Sequence, residues 1–101
     1  MSAEPETTDA EGRLVRELLI INKKGLHARA SAKFVQTVER FDAAVTVTRG
    51  GETVGGRSIM GLLTLGAAKG TTITVTGEGP QAAESLAAIA SLIATRFGED
   101  D

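Results

Sequence analysis

Two segments of this chain alternate with a period of two: Val45 and Val47 against Thr46 and Thr48, then Ile73 and Val75 against Thr72, Thr74 and Thr76. Alternation of this kind marks strands with one buried and one solvated face. With threonines holding one side of the sheet in water, all helices are expected on the other side. The rest of the chain has to supply that cover.

Residues 17–22, ELLIIN, are an apolar run of strand length that stops at Lys23-Lys24-Gly25, and they read as a buried first strand. From Ala28 the period turns helical. Ala30, Phe34, Val38 and Phe41 then share one stripe of an amphipathic helix that begins at His27. The pair Gly50-Gly51 tolerates positive φ and suits a tight hairpin into a short strand at Thr53-Val54, which Gly55-Gly56 ends. Ser58 and Gly66 bracket about two helical turns as a hydroxyl N-cap and a glycine stop. Gly79-Pro80 opens a third helix with the stripe Ala82, Leu86, Ile89, Ile93 and Phe97. Glu84 near its start and Arg96 near its end suit the helix dipole, and Gly98 closes it. The expected order is β-α-β-β-α-β-α, an open-faced two-layer α+β sandwich.

At 101 residues the chain has room for one domain. Residues 1–12 carry Glu4, Glu6, Asp9 and Glu11 with Pro5 and no basic residue, which predicts a disordered acidic lead-in and not a targeting peptide. Residues 13–98 form the expected folded body, and residues 99–101 an acidic tail. The body holds eleven bases against six acids, a balance that suits an acidic partner surface. Nucleic acid fits less well, because the bases are scattered and three Phe without Tyr or Trp leave little for stacking. The absence of cysteine excludes disulfides, thiolate catalysis and Cys-based zinc sites, and a lone histidine excludes multi-His metal sites. No cofactor is expected. No apolar run reaches the length of a membrane span, and a cytoplasmic monomer is the expectation.

That single histidine, His27, sits in Gly25-Leu26-His27-Ala28-Arg29-Ala30-Ser31-Ala32, where strand gives way to helix. A helix start presents unpaired N–H groups and the positive end of the dipole, so the N–H groups of Ala28 and Arg29 form a ready anion cradle. Arg29 adds a planar, permanently charged fork suited to phosphate oxygens. Imidazole is also a nucleophile whose phosphorylated form is labile, able to receive and release a phosphoryl group. On the residues alone, plainer readings stand beside these: His27 as a simple cap, Arg29 as a solvated surface charge, Ser58 as an N-cap and nothing more. Ile59, Met60, Leu62, Leu63 and Leu65 cannot all point inward from two helical turns, so some are expected to be exposed as an apolar contact patch, unless all cover the edge of the core.

GLHARASA, followed about thirty residues later by GGRSIMGLLTLG, resembles the HPr family of histidine phosphocarriers in the bacterial phosphotransferase system. The resemblance spans roughly Val15 to Phe97. It implies the HPr-type sandwich, with a four-stranded antiparallel sheet and three helices on one face. It also implies that His27 accepts a phosphoryl group on Nδ1 from phosphorylated enzyme I, which draws on phosphoenolpyruvate, and passes it to a histidine of an enzyme IIA protein. That is the role of a covalent carrier, not of a stand-alone enzyme. Arg29 matches the family arginine that steadies the phosphoryl group. Ser58 matches the serine marked by HPr kinase/phosphorylase in organisms that have one, and Ile59, Met60 and Leu63, with Ala32 and Lys33, match the partner-docking surface. Ala30 stands where proline is common in the family. Alanine there, with the acidic N-terminal extension, resembles HPr proteins of proteobacteria whose system is regulatory and does not transport sugar. Two rivals remain at this level: a regulatory binding module that works through the state of Ser58, and a domain whose His27/Arg29 site holds a free anion.

Overall fold

The structure, a computed structural model, describes residues 6–99. Strands β1 (Thr7–Thr8), β2 (Leu14–Leu19), β3 (Ala44–Arg49), β4 (Glu52–Gly55) and β5 (Thr72–Glu78) form one sheet in the order β1-β2-β5-β3-β4, antiparallel throughout. Helices α1 (Ala28–Val38), α2 (Ile59–Thr64) and α3 (Ala82–Ala94) cover its apolar face. A single 3₁₀ turn, Arg96–Gly98, follows α3.

The alternating strands behave as their pattern dictates. Val45, Val47, Ile73 and Val75 are buried, and Val47 pairs with Val75 across the ladder. On the other face Thr46 lies opposite Thr76 and Thr48 opposite Thr74. The Thr48 and Thr53 hydroxyls hydrogen-bond at 2.7 Å. Gly50 and Gly51 both have positive φ, 60° and 84°, as a two-residue hairpin with native twist requires.

The first long strand differs from expectation. It runs Leu14–Leu19, three residues earlier than the apolar run suggests, and inward and outward positions alternate only over its last three residues, Glu17–Leu19. With only one face of the sheet covered, Leu18 goes inward and Leu19 is left 51% exposed. Ile20 is fully buried beyond the strand, and its N–H still donates to the Thr71 carbonyl at 2.9 Å. The sheet also has a fifth strand, drawn from the segment expected to be a disordered lead-in. Thr7 and Thr8 pair with Val15 and Leu14, and Asp9 closes the turn by accepting from the backbone N–H groups of Glu11 and Arg13 and from the Arg13 guanidinium. Burial raises the Asp9 carboxyl pKa, but those hydrogen bonds and the Arg13 charge outweigh it, and the group stays below the ordinary carboxylate range. Residues 1–5 of the lead-in and 100–101 of the tail lie outside the described residues.

Two helices end sooner than their stripes imply. Helix α1 stops at Val38, and Phe41 is half-buried in the following loop with the Arg40 guanidinium 5.3 Å from its ring centre. Helix α3 stops at Ala94, and Phe97 reaches the core, 1% exposed, through a reversal in which Arg96 and Phe97 both take left-handed backbone angles. Such angles cost a residue with a Cβ about 1–2 kcal/mol each. Burying a Phe ring returns about 1.5–3 kcal/mol. The reversal turns Glu99 back toward the start of α1. Among the described residues no helix is long and apolar enough to cross a membrane.

Candidate functional site

The site begins with the turn Asn22–Gly25. Asn22 is fully buried and clasps that turn, its side-chain Nδ2 donating to the Gly25 carbonyl at 2.8 Å while its backbone carbonyl accepts from the Gly25 N–H at 3.2 Å. Gly25 has φ +64°, and a Cβ there would stand 2.4 Å from the Ala67 carbonyl oxygen and 2.9 Å from the Ala68 Cα. Only glycine allows this backbone approach. The next N–H, that of Leu26, donates to the same Ala67 carbonyl at 2.9 Å, which seats the loop on the connection between α2 and β5. The helix start is therefore fixed from both sides.

His27 is the residue before α1. Its backbone is extended, with φ −74° and ψ −177°, and its carbonyl accepts from the Ser31 N–H at 2.8 Å. Its side chain makes no capping hydrogen bond. Instead Nε2 meets Glu99 Oε2 at 2.5 Å, with the ring 27% and the carboxylate 15% exposed. The other carboxylate oxygen, Oε1, accepts from Asn22 Nδ2 at 3.1 Å. With Glu99 ionised the carboxylate only accepts, which pairs it with an Nε2–H and leaves the lone pair of a neutral ring to Nδ1.

A cleft of about 690 Å³ opens beside the ring, lined by Lys23, Lys24, His27, Ala28, Arg29, Lys33, Gly98 and Glu99. Four cationic side chains thus surround one carboxylate and the start of α1. The N–H groups of Ala28 and Arg29 lie in the first helical turn and lack an intrahelical acceptor. Together these charges and donors suit a multiply charged oxyanion.

The structure brings His27, Ala28 and Arg29 together as expected from sequence, and it leaves Ser58 outside this lining. Ser58 caps α2, its Oγ accepting from the Gly61 N–H at 2.9 Å. On α2 Leu62 is fully buried, Ile59 and Met60 are 40% and 71% exposed, and Leu63 is half-buried. Leu63 also lines a second hollow shared with His27 and Ala67, so the exposed side of α2 runs toward the histidine. Ala32 is half-buried on α1. Lys33, expected on a docking surface, has its Nζ against the Phe97 carbonyl at 2.6 Å and ties down the reversal after α3.

Three contributors escape a sequence reading: Asn22, Glu99 and the anchoring role of Lys33. Glu99 sits 72 positions from His27 and looks like one more acid in a tail. The buried polar character of Asn22 at the end of an apolar run is the one local signal that could have drawn attention to this corner.

Comparison with known proteins bears on the same region. A family model described as "PTS HPr component phosphorylation site" matches residues 14–95. The phosphocarrier protein HPr of Neisseria meningitidis serogroup A is 49% identical over 88 residues, covering 87% of this chain and 99% of that protein. Its counterpart in Cupriavidus necator is 47% identical over the same length and coverage. Among solved structures, HPr-C-His from Thermoanaerobacter tengcongensis has a TM-score of 0.82 and 37% identity, covering 86% of this chain and 98% of the other.

Proposed function

Because this chain belongs to the HPr family, the phosphocarriers of the phosphotransferase system, we propose that His27 is its covalent phosphoryl acceptor and that Nδ1 is the atom phosphorylated. One observation carries this reading: Nε2 is taken by Glu99, which leaves Nδ1 as the ring nitrogen for phosphoryl transfer, at a helix start that spends no side chain on capping itself. Arg29 and the N–H groups of Ala28 and Arg29 would receive the phosphoryl oxygens, with Lys23 and Lys24 adding long-range attraction. The donor is phosphorylated enzyme I and the acceptor a histidine of an enzyme IIA-type protein. Both dock on the exposed side of α2, with Ile59, Met60 and Leu63 as apolar contacts and Ala32 beside them on α1.

Ser58 is a regulatory site in this reading. A phosphate at a helix N-terminus is electrostatically tolerated, so its effect would be repulsion of an acidic partner surface and not unfolding of α2.

The test is intact-mass analysis after incubation with phosphoenolpyruvate and a catalytic amount of enzyme I. A single acid-labile phosphoryl adduct is expected on the wild type and none on His27→Ala. An adduct retained by that variant would overturn the assignment.

A further inference from the structure

Glu99 does not reach His27 by chance of a loose end. Arg96, Phe97 and Gly98 are three successive residues with left-handed angles, φ 57°, 56° and 75°, two of them with side chains that disfavour it. The buried Phe97 ring and the Lys33 Nζ bond to the Phe97 carbonyl hold this reversal in place. Its product is a carboxylate with both oxygens engaged, Oε2 by His27 Nε2 and Oε1 by the buried Asn22 amide. Asn22 is itself fixed through its second Nδ2 bond, to the Gly25 carbonyl. The same clasp therefore shapes the loop that carries His27 and aims the acid that faces it.

We propose that Glu99, held by Asn22, is a positioning residue for His27: it keeps the proton on Nε2 before, during and after phosphoryl transfer. The inference rests on the reading of His27 as phosphoryl acceptor. In the accepting step the Nδ1 lone pair forms the N–P bond while the bond from phosphorus to the donor's leaving atom breaks, its electron pair staying with the donor. No proton moves. The ring gains a formal positive charge, which the Glu99 carboxylate balances through the Nε2–H bond. A ring that keeps this proton is the better leaving group, so in the reverse sense Glu99 also holds the adduct ready for onward transfer. Around the ring the charged groups are Lys23, Lys24, Arg29 and Lys33, and Glu99 is the only acid among the described residues lining the cleft. Its negative charge is thus placed at Nε2, the ring nitrogen that does not take the phosphoryl group.

Glutamine at position 99 separates charge from shape. Its amide offers one acceptor where the carboxylate offers two, so either Nε2–H or the Asn22 amide meets another donor. The experiment uses the full chain labelled with ¹⁵N, as wild type, Glu99→Gln and Glu99→Ala, with backbone amide spectra verifying the fold. The ring nitrogen shifts of neutral His27 report its tautomer, and intact-mass sampling reports the rate of adduct formation from phosphoenolpyruvate and enzyme I. Wild type is expected as the Nε2–H tautomer, with both variants relaxing toward the mixture of a free imidazole and accepting phosphoryl about tenfold more slowly. An unchanged tautomer or an unchanged rate in Glu99→Gln overturns the role of Glu99. A wild type that takes up no phosphoryl group overturns the reading of His27 instead, and the tautomer measurement still decides for Glu99.

Discussion

Helices α1 and α2 both start after a polar residue, and the two starts are used in opposite ways. At α2, Ser58 turns its hydroxyl back to the Gly61 N–H, and the helix satisfies its own donor. At α1, His27 turns away toward Glu99 and makes no capping bond, so the first-turn donors remain available to a ligand. What separates the two helix starts is where the preceding side chain goes. For His27 it goes to Glu99, 72 positions further along the chain.

The contrast can be broken most severely at Gly25. Gly25→Ala puts a Cβ against the Ala67 carbonyl and asks a non-glycine residue to hold φ +64°. A loss of about 2–4 kcal/mol in denaturant unfolding is expected from strain and overpacking together, along with slower phosphoryl uptake. An unperturbed midpoint would mean that the α1 start does not depend on this close approach. Next in size, Arg29→Gln should slow uptake from enzyme I by about tenfold, the loss of one charge-assisted contact, while thermal unfolding stays within error of wild type. A rate equal to wild type would reduce Arg29 to a surface charge.

Ser58→Ala sharpens the comparison from the other side. It should cost about 1 kcal/mol of stability through the lost cap, readable as a lower unfolding midpoint, and leave adduct formation on His27 unchanged. A drop in uptake without a drop in stability would place Ser58 in the transfer machinery after all. The smallest effect belongs to the N-terminal turn. Asp9 has its pKa held below the ordinary value, so its contribution is present above the unfolded carboxylate pKa and is lost as pH falls through the lower folded value. Asp9→Asn should flatten that acid-side portion of the stability profile and change nothing at the α1 start. A profile identical to wild type would show that the turn adds no pH-dependent stability.

Much of the sheet could be read from residues alone because its signals are local. Val45-Thr46-Val47-Thr48 shows its period within four positions, Gly50-Gly51 announces its turn, and Ser58 its cap. The Gly25–Ala32 segment likewise placed His27 and Arg29 at the start of α1, where the structure has them. Other features are decided by tertiary contact. Thr7 and Thr8 make a strand too short to carry a period, and it exists because Asp9 and Arg13 close the turn that returns it to β2. The stripe in α3 correctly placed Phe97 in the core, yet helical spacing gave no warning that the chain gets there by reversing. Glu99 was hidden for the same reason, since an acid among acids shows no pattern until that reversal delivers it. Lys33 falls between these cases: its place on α1 was clear, its partner at Phe97 was not.

The most direct test of the account is to phosphorylate ¹⁵N-labelled protein through enzyme I and observe which nitrogen couples to phosphorus by heteronuclear NMR. Coupling at Nδ1 of His27, with Nε2 still protonated, is the predicted result. Phosphorus on Nε2, or on any residue other than His27, would contradict both the assignment of the acceptor and the part given to Glu99.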